Sequence, residues 1–148
     1  MTDIEFHILA STDDSSRLRY CCQLSEALWR KGRQVHIHAT NAEQAEQLDQ
    51  LMWTFRDNSF VPHAQLNKTG AVNISIGYDE QQPASDDVMI NLTHPVPDYF
   101  SRFHDVLEIV IEQTGIKQQT RDNYRFYQQR GYPLAHKKIH GDGLSPTI

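Results

Sequence analysis

Over the first half of the chain, short apolar stretches alternate with longer amphipathic ones, and this pattern restricts the fold more than any other feature. Ile4-Glu5-Phe6-His7-Ile8-Leu9 alternates apolar and polar residues before a run of small, turn-prone residues, which predicts a strand leaving the core at Ser11. Asp13 or Asp14 then suits a helix N-cap. Residues 18–29 set Leu18, Cys21, Cys22, Ser25, Leu28 and Trp29 on one helical face, and Gly32 supplies a left-handed stop. Residues 33–38 read as a second strand. Asn41, with Gln44 three residues on, predicts a capping box that opens a helix running to Trp53. Beyond it, Ser59-Phe60-Val61-Pro62-His63 reads as a short extended piece, and residues 72–76 and 88–92 as two more strands joined by a polar loop. Residues 98–112 and 117–130 read as two consecutive helices separated by Thr114-Gly115. The expected architecture is α/β, with a mainly parallel central sheet of about five strands covered on both faces and two consecutive C-terminal helices.

At 148 residues the chain is long enough for one complete core, so residues 1–140 are expected to form a single domain, with 141–148 as a flexible tail. No apolar run approaches the roughly 18 residues of a membrane span. Met1-Thr2-Asp3-Ile4-Glu5 lacks the basic start of a secretory signal, and a cytoplasmic location is expected. The net charge of -5 argues against a generally basic surface that wraps duplex DNA, yet it hides an asymmetry. Residues 117–138 carry Lys117, Arg121, Arg125, Arg130, Lys137 and Lys138 against Asp122 alone, a local charge of +5 on a remainder at -10. Such a division suggests a localised site for an anionic partner.

Catalytic signatures are missing. The turn Ala10-Ser11-Thr12-Asp13-Asp14-Ser15 has no glycine, and neither a dinucleotide fingerprint nor a P-loop occurs, so phosphate has no visible cradle. Asp13 and Asp14 could act as the acidic, magnesium-holding pair of a phospho-receiver-like enzyme, but a cap with a second acid at the positive end of the helix accounts for them more simply. Cys21 and Cys22 are adjacent on a helix and read as core thiols. Among eight histidines, His36 and His38 share a strand face, and His136 and His140 have a spacing useful to a metal only on a helix; neither pair has a persuasive third ligand. The expectation is a binding protein with no catalytic residues, no cofactor and no metal.

Two surfaces suit that role. Lys117, Arg121 and Arg125 recur every four residues with Tyr124 on the same stripe, a cationic ridge beside an aromatic. It fits an acidic peptide ending in an apolar residue, with Lys and Arg holding carboxylates while Tyr124 and an apolar wall such as Val110 receive the side chain. Direct binding of single-stranded DNA is the alternative reading of the same ridge. Trp53, Phe55 and Phe60 gather three large aromatics around an irregular connection, where an exposed one would anchor another protein.

Trp29-Arg30-Lys31-Gly32-Arg33-Gln34-Val35, Leu48-Asp49 with Trp53, Ser59-Phe60-Val61-Pro62-His63, and Arg121-Asp122-Asn123-Tyr124-Arg125-Phe126-Tyr127 with Arg130-Gly131-Tyr132 occur in an order that resembles the chi subunit family of DNA polymerase III. The resemblance runs from about Ile4 to Ile139. It implies a Rossmann-like fold without nucleotide chemistry, in an accessory subunit of the polymerase holoenzyme. It further implies binding to the psi subunit of the clamp-loader complex and to the acidic C-terminal tail of single-stranded DNA-binding protein, and it admits a helicase-type partner competing for the psi surface. Carried over by position, tail binding falls on Lys117, Arg121, Tyr124 and Arg125 with Val110 in the wall, and psi binding on Trp53 and Phe60.

Overall fold

A computed structural model describes residues 1–55, 61–66 and 73–140. The strands are β1 (Asp3–Leu9), β2 (Val35–His38), β3 (His63–Gln65), β4 (Ile74–Gly77), β5 (Val88–Asn91), β6 (Asp105–Val110) and β7 (Leu134–Ile139). The α-helices are α1 (Asp14–Arg30), α2 (Ala42–Thr54) and α3 (Thr114–Gln129), and a 3-10 helix spans Asp98–Arg102. All seven strands pair in parallel in the order β3-β4-β2-β5-β6-β1-β7.

The local signals that place α1 and α2 work as expected. Asp13 caps α1 by accepting a hydrogen bond from the Ser15 amide at 3.1 Å, with Asp14 in the first turn, and Gly32 ends the helix at φ +82°. The Asn41 side chain accepts from the Gln44 amide at 2.8 Å. Gln44 reaches back to the amide of Thr40 rather than to that of Asn41, a capping box one residue longer than the usual form.

Strand alternation sorts the core into two layers. Val35, Ile37, Ile74, Ile76, Val88, Ile90, Leu107 and Ile109 face α1 and α2, while Ile4, Phe6, Met89 and Val106 face α3 and the 3-10 helix. The three-layer α/β expectation therefore holds, with seven strands instead of about five.

Two expectations are corrected. Residues 98–112 do not form a helix: after the 3-10 helix they become β6, inserted between β5 and β1, so the chain does not close with two consecutive α-helices. Val106-Leu107-Glu108-Ile109-Val110-Ile111 is apolar on both sides because β6 is covered on both faces, and such a run carries neither a clear two-residue nor a 3.6-residue period. Residues 134–139 are also a strand, β7, added parallel to β1 at the end of the sheet. The strand expected over residues 72–76 starts later, at Ile74, and Val72 and Phe60 lie outside the described residues, as does 141–148. Among the described residues no helix is long and apolar enough to cross a membrane.

Candidate peptide-binding site

Helix α3 is the element with the most uneven faces. Thr120, Asn123 and Tyr127 are buried against the sheet, whereas Arg121 and Arg125 are exposed. It starts three residues earlier than expected, at Thr114, because the Gln113 side chain accepts the Ile116 amide at 2.7 Å and so acts as the cap. The helix is pinned from below by Glu108 of β6, which accepts hydrogen bonds from the Tyr127 hydroxyl at 2.6 Å, from Asn91 at 2.8 Å and from Asn123 at 3.3 Å. Burial pushes the Glu108 carboxyl up from its ordinary value, and the hydrogen bonds from Asn91, Tyr127 and Asn123 oppose that rise.

Where α3 passes over β6, β1 and β7, it leaves a cavity of about 300 Å³. Phe6 and Ile8 of β1 and Val110 at the end of β6 make its apolar floor. Lys117, Thr120, Arg121 and Tyr124 come from α3, with Glu112 and His136 at its sides. The rings stack into one wall: Tyr124 lies 5.5 Å from Phe6 and 5.5 Å from His136, and His136 stacks on Phe6 at 5.6 Å. This volume sits at the lower end of the range for binding pockets and suits a single large apolar group.

The rim is charged but unevenly available. The Lys117 ammonium is already 3.0 Å from the Glu112 carboxylate. Arg121 and Arg125 have no ion pair among the described residues. The structure thus brings Val110, Lys117, Arg121 and Tyr124 together around one cavity, while Arg125 stands one turn further along α3 and does not line it. Phe6, Ile8, Glu112, Thr120 and His136 complete the site; the sequence pointed to none of the first four as site residues, and to His136 only as a candidate metal ligand. Phe6 and Ile8 were visible as one side of an alternating strand, but their meeting with α3 depends on β6 and β7, which the sequence did not reveal as strands.

Trp53 lies in the last turn of α2 with 47% of its surface exposed, its ring 4.6 Å from that of His63. Because α2 packs on β3 and β4, it occupies the opposite face and the opposite end of the sheet from the α3 cavity. Four strand spacings separate β4 from β1, roughly 20 Å. Phe60, expected beside Trp53, lies outside the described residues; Phe55 is buried.

The other candidate chemistry has structural duties. Asp13 is the α1 cap, and Asp14 lies 3.7 Å from Arg17. His36 engages Ser75 at 2.8 Å and Tyr99 at 3.1 Å, and His38 engages Tyr99 at 2.6 Å. The spacing of His136 and His140 falls on and just after a strand, which separates them by about 13 Å. Burial raises the Cys21 thiol to about 12 and raises Cys22 further, far from the range of a reactive thiolate. Among the described residues no three His, Cys, Asp or Glu side chains cluster as a metal site.

With this geometry in place, the relationships of the chain are specific. Residues 1–135 match the family model described as DNA polymerase III chi subunit, HolC. The DNA polymerase III subunit chi of Pseudomonas aeruginosa is 36% identical over 139 residues, covering 94% of this chain and 98% of the relative. That of Haemophilus influenzae is 26% identical over 141 residues, covering 91% and 96%, and that of Escherichia coli K12 is 29% identical over 116 residues, covering 76% and 79%. The chain belongs to the DNA polymerase III chi subunit family.

Proposed function

We propose that the protein is a non-catalytic cytoplasmic adaptor of the replisome that holds the acidic C-terminal tail of single-stranded DNA-binding protein in the α3 cavity and the psi subunit at the Trp53 surface. The observation that carries the tail reading is an apolar cavity sized for one side chain, bordered by Arg121, which has no ion pair among the described residues. An aromatic tail residue fills the space over Phe6, Ile8 and Val110. Arg121 takes the terminal carboxylate by a charge-assisted, two-pronged hydrogen bond, and Arg125 meets acids further up the tail. Lys117 contributes less than its position suggests, because Glu112 already neutralises it. Separate faces for the two partners allow both to be held at once, so that coupling arises from local concentration rather than from chemistry.

Titration of a fluorescent acidic peptide ending in Pro-Phe tests the tail site. Wild-type protein is expected to bind saturably and more weakly as salt rises, and Arg121→Ala to weaken binding by about 10- to 100-fold, the worth of one charged hydrogen bond at 1.5–3 kcal/mol. Failure of the wild type to bind, or an unchanged affinity in the variant, would overturn it. Binding of an oligonucleotide without peptide affinity would replace the tail by DNA as the ligand of the ridge.

The second surface is tested independently. Trp53→Ala is expected to weaken capture by psi, or by a helicase-type partner using the same surface, by at least about tenfold, as hot-spot tryptophans do. It should leave the peptide titration unchanged. Equal psi binding by both proteins, measured by co-purification and surface binding, would remove Trp53 from that interface.

A further inference from the structure

The cavity has a second wall that carries its own cation. β7 pairs with β1 in parallel register, Phe6 beside His136 and Ile8 beside Lys138. Partners in register point to the same face of a sheet, and Phe6 and Ile8 both line the cavity. His136 follows them into the lining, stacked on Phe6 and next to Tyr124. Lys138, two residues on, stands on the same face at the lip beside Ile8, exposed and without an ion pair among the described residues. Lys137 points the other way, towards the α1 side of the sheet, where its charge helps to lower the Glu5 carboxyl behind the effects of His7. β7 ends the strand order, so no described strand covers its outer side.

We propose, resting on the peptide-binding reading above, that β7 is the opposing jaw of the peptide groove and that Lys138 binds an acidic residue preceding the apolar end of the peptide. Two residues along β7 cover roughly 7 Å, which is also the span of two residues of an extended peptide. An apolar tip lodged over Phe6 and against the wall of Tyr124 and His136 therefore brings a carboxylate about two positions upstream to Lys138, while Arg121 on α3 holds the terminus from the other side. The groove grips acidic peptide from a helix and from a strand, and the strand side selects for acids near the end of the chain rather than for the terminal residue alone.

Lysines on an edge strand also deter pairing with other chains, a role that Lys137 and Lys138 would share equally. The experiment exploits that equality. Full-length wild type, Lys138→Glu, Lys137→Glu and Arg121→Ala are titrated with two peptides that share an apolar end, one with upstream aspartates and one with asparagines in their place. Thermal melting of each protein confirms folding. Lys138→Glu is expected to weaken the acidic peptide by about tenfold and the amide peptide by less than about twofold, whereas Lys137→Glu changes either by no more than about twofold through the long-range field. Equal losses for the two lysine variants, or a Lys138 loss that persists with the amide peptide, would overturn the inference while an Arg121 effect leaves the peptide site standing. If wild type binds neither peptide, the peptide site itself fails and Lys138 with it.

Discussion

Between pH 6.5 and pH 4 the folded chain is expected to lose about 3 kcal/mol of stability through His36 alone, a loss that a His36→Phe variant does not share. His36 sits in the sheet under the 3-10 helix, one ring nitrogen on the Ser75 hydroxyl and the other on Tyr99, with its ring stacked on Phe103. Burial, then the neighbouring His38 and Arg102, depress its pKa to about 3. A base depressed in this way is neutral in the folded chain and charged in the unfolded one. Its contribution is present in full above the ordinary histidine value of 6.5 and is lost as pH falls towards 3, at about 1.4 kcal/mol per pH unit. His38, depressed to about 4 by burial, has the same sign, and because its shift is smaller than that of His36 its share is smaller. Glu108 has the opposite sign: raised in the fold, it contributes fully at low pH and loses that contribution as pH rises through its folded value. Both chains keep Glu108, so it cancels in the comparison. Urea unfolding at pH 7, 6, 5 and 4 is the measurement. The variant will be weaker at pH 7, having lost two hydrogen bonds, but its decline with acid should be shallower; parallel declines would mean that His36 protonates freely within the fold.

The same pair of histidines shows what a sequence can and cannot reveal. That His36 and His38 share a face followed from strand alternation, but what the face meets did not, because Tyr99 arrives from more than sixty residues away. Helix ends were legible wherever the signal is local, as at Asp13, Asn41 and Gly32. The ridge of Lys117, Arg121, Tyr124 and Arg125 was legible for the same reason, since four-residue spacing is a property of one helix. The floor and far wall of the cavity were not. β6 hides its period by being apolar on both faces. β7 hides its own by exposing His136, Lys137 and Lys138 in succession at the sheet edge. Glu112 escaped notice because a helix through residue 112 would have carried it away from Lys117. The turn after β6 instead brings the two within 3.0 Å and changes which cation at the rim is available.

The joint between β6 and α3 should be among the most sensitive points in the molecule. Glu108→Ala is expected to lower stability by about 3 kcal/mol, which for a chain of this size is a fall in Tm of roughly 10 °C. The side chain is 3% exposed and receives the Tyr127 hydroxyl and the Asn91 and Asn123 amides, so its removal takes the acceptor from the Tyr127 hydroxyl, leaves the two amides with the Thr93 carbonyl but no partner on β6, and opens a void that none of them fills. Asn123 also ties α3 to the loop after β5 through the Thr93 carbonyl at 3.0 Å and His94 at 2.8 Å, and it would lose its anchor on the strand side. Because Glu108 contributes most below the ordinary carboxylate range, the difference between the two chains should be larger at pH 5 than at pH 8. Asn123 and Tyr127 lie on the buried side of the same helix that presents Arg121 and Tyr124 to the cavity. Loosening them lets the arginine side of the groove shift relative to the floor of Phe6 and Ile8, and weaker peptide binding should therefore accompany the lower Tm even well below the melt. A Glu108→Ala chain that melts with the wild type would show that the helix is held by its apolar contacts alone. One that melts early yet binds peptide normally would show that the groove depends on α3 being present but not on Glu108 to set its position.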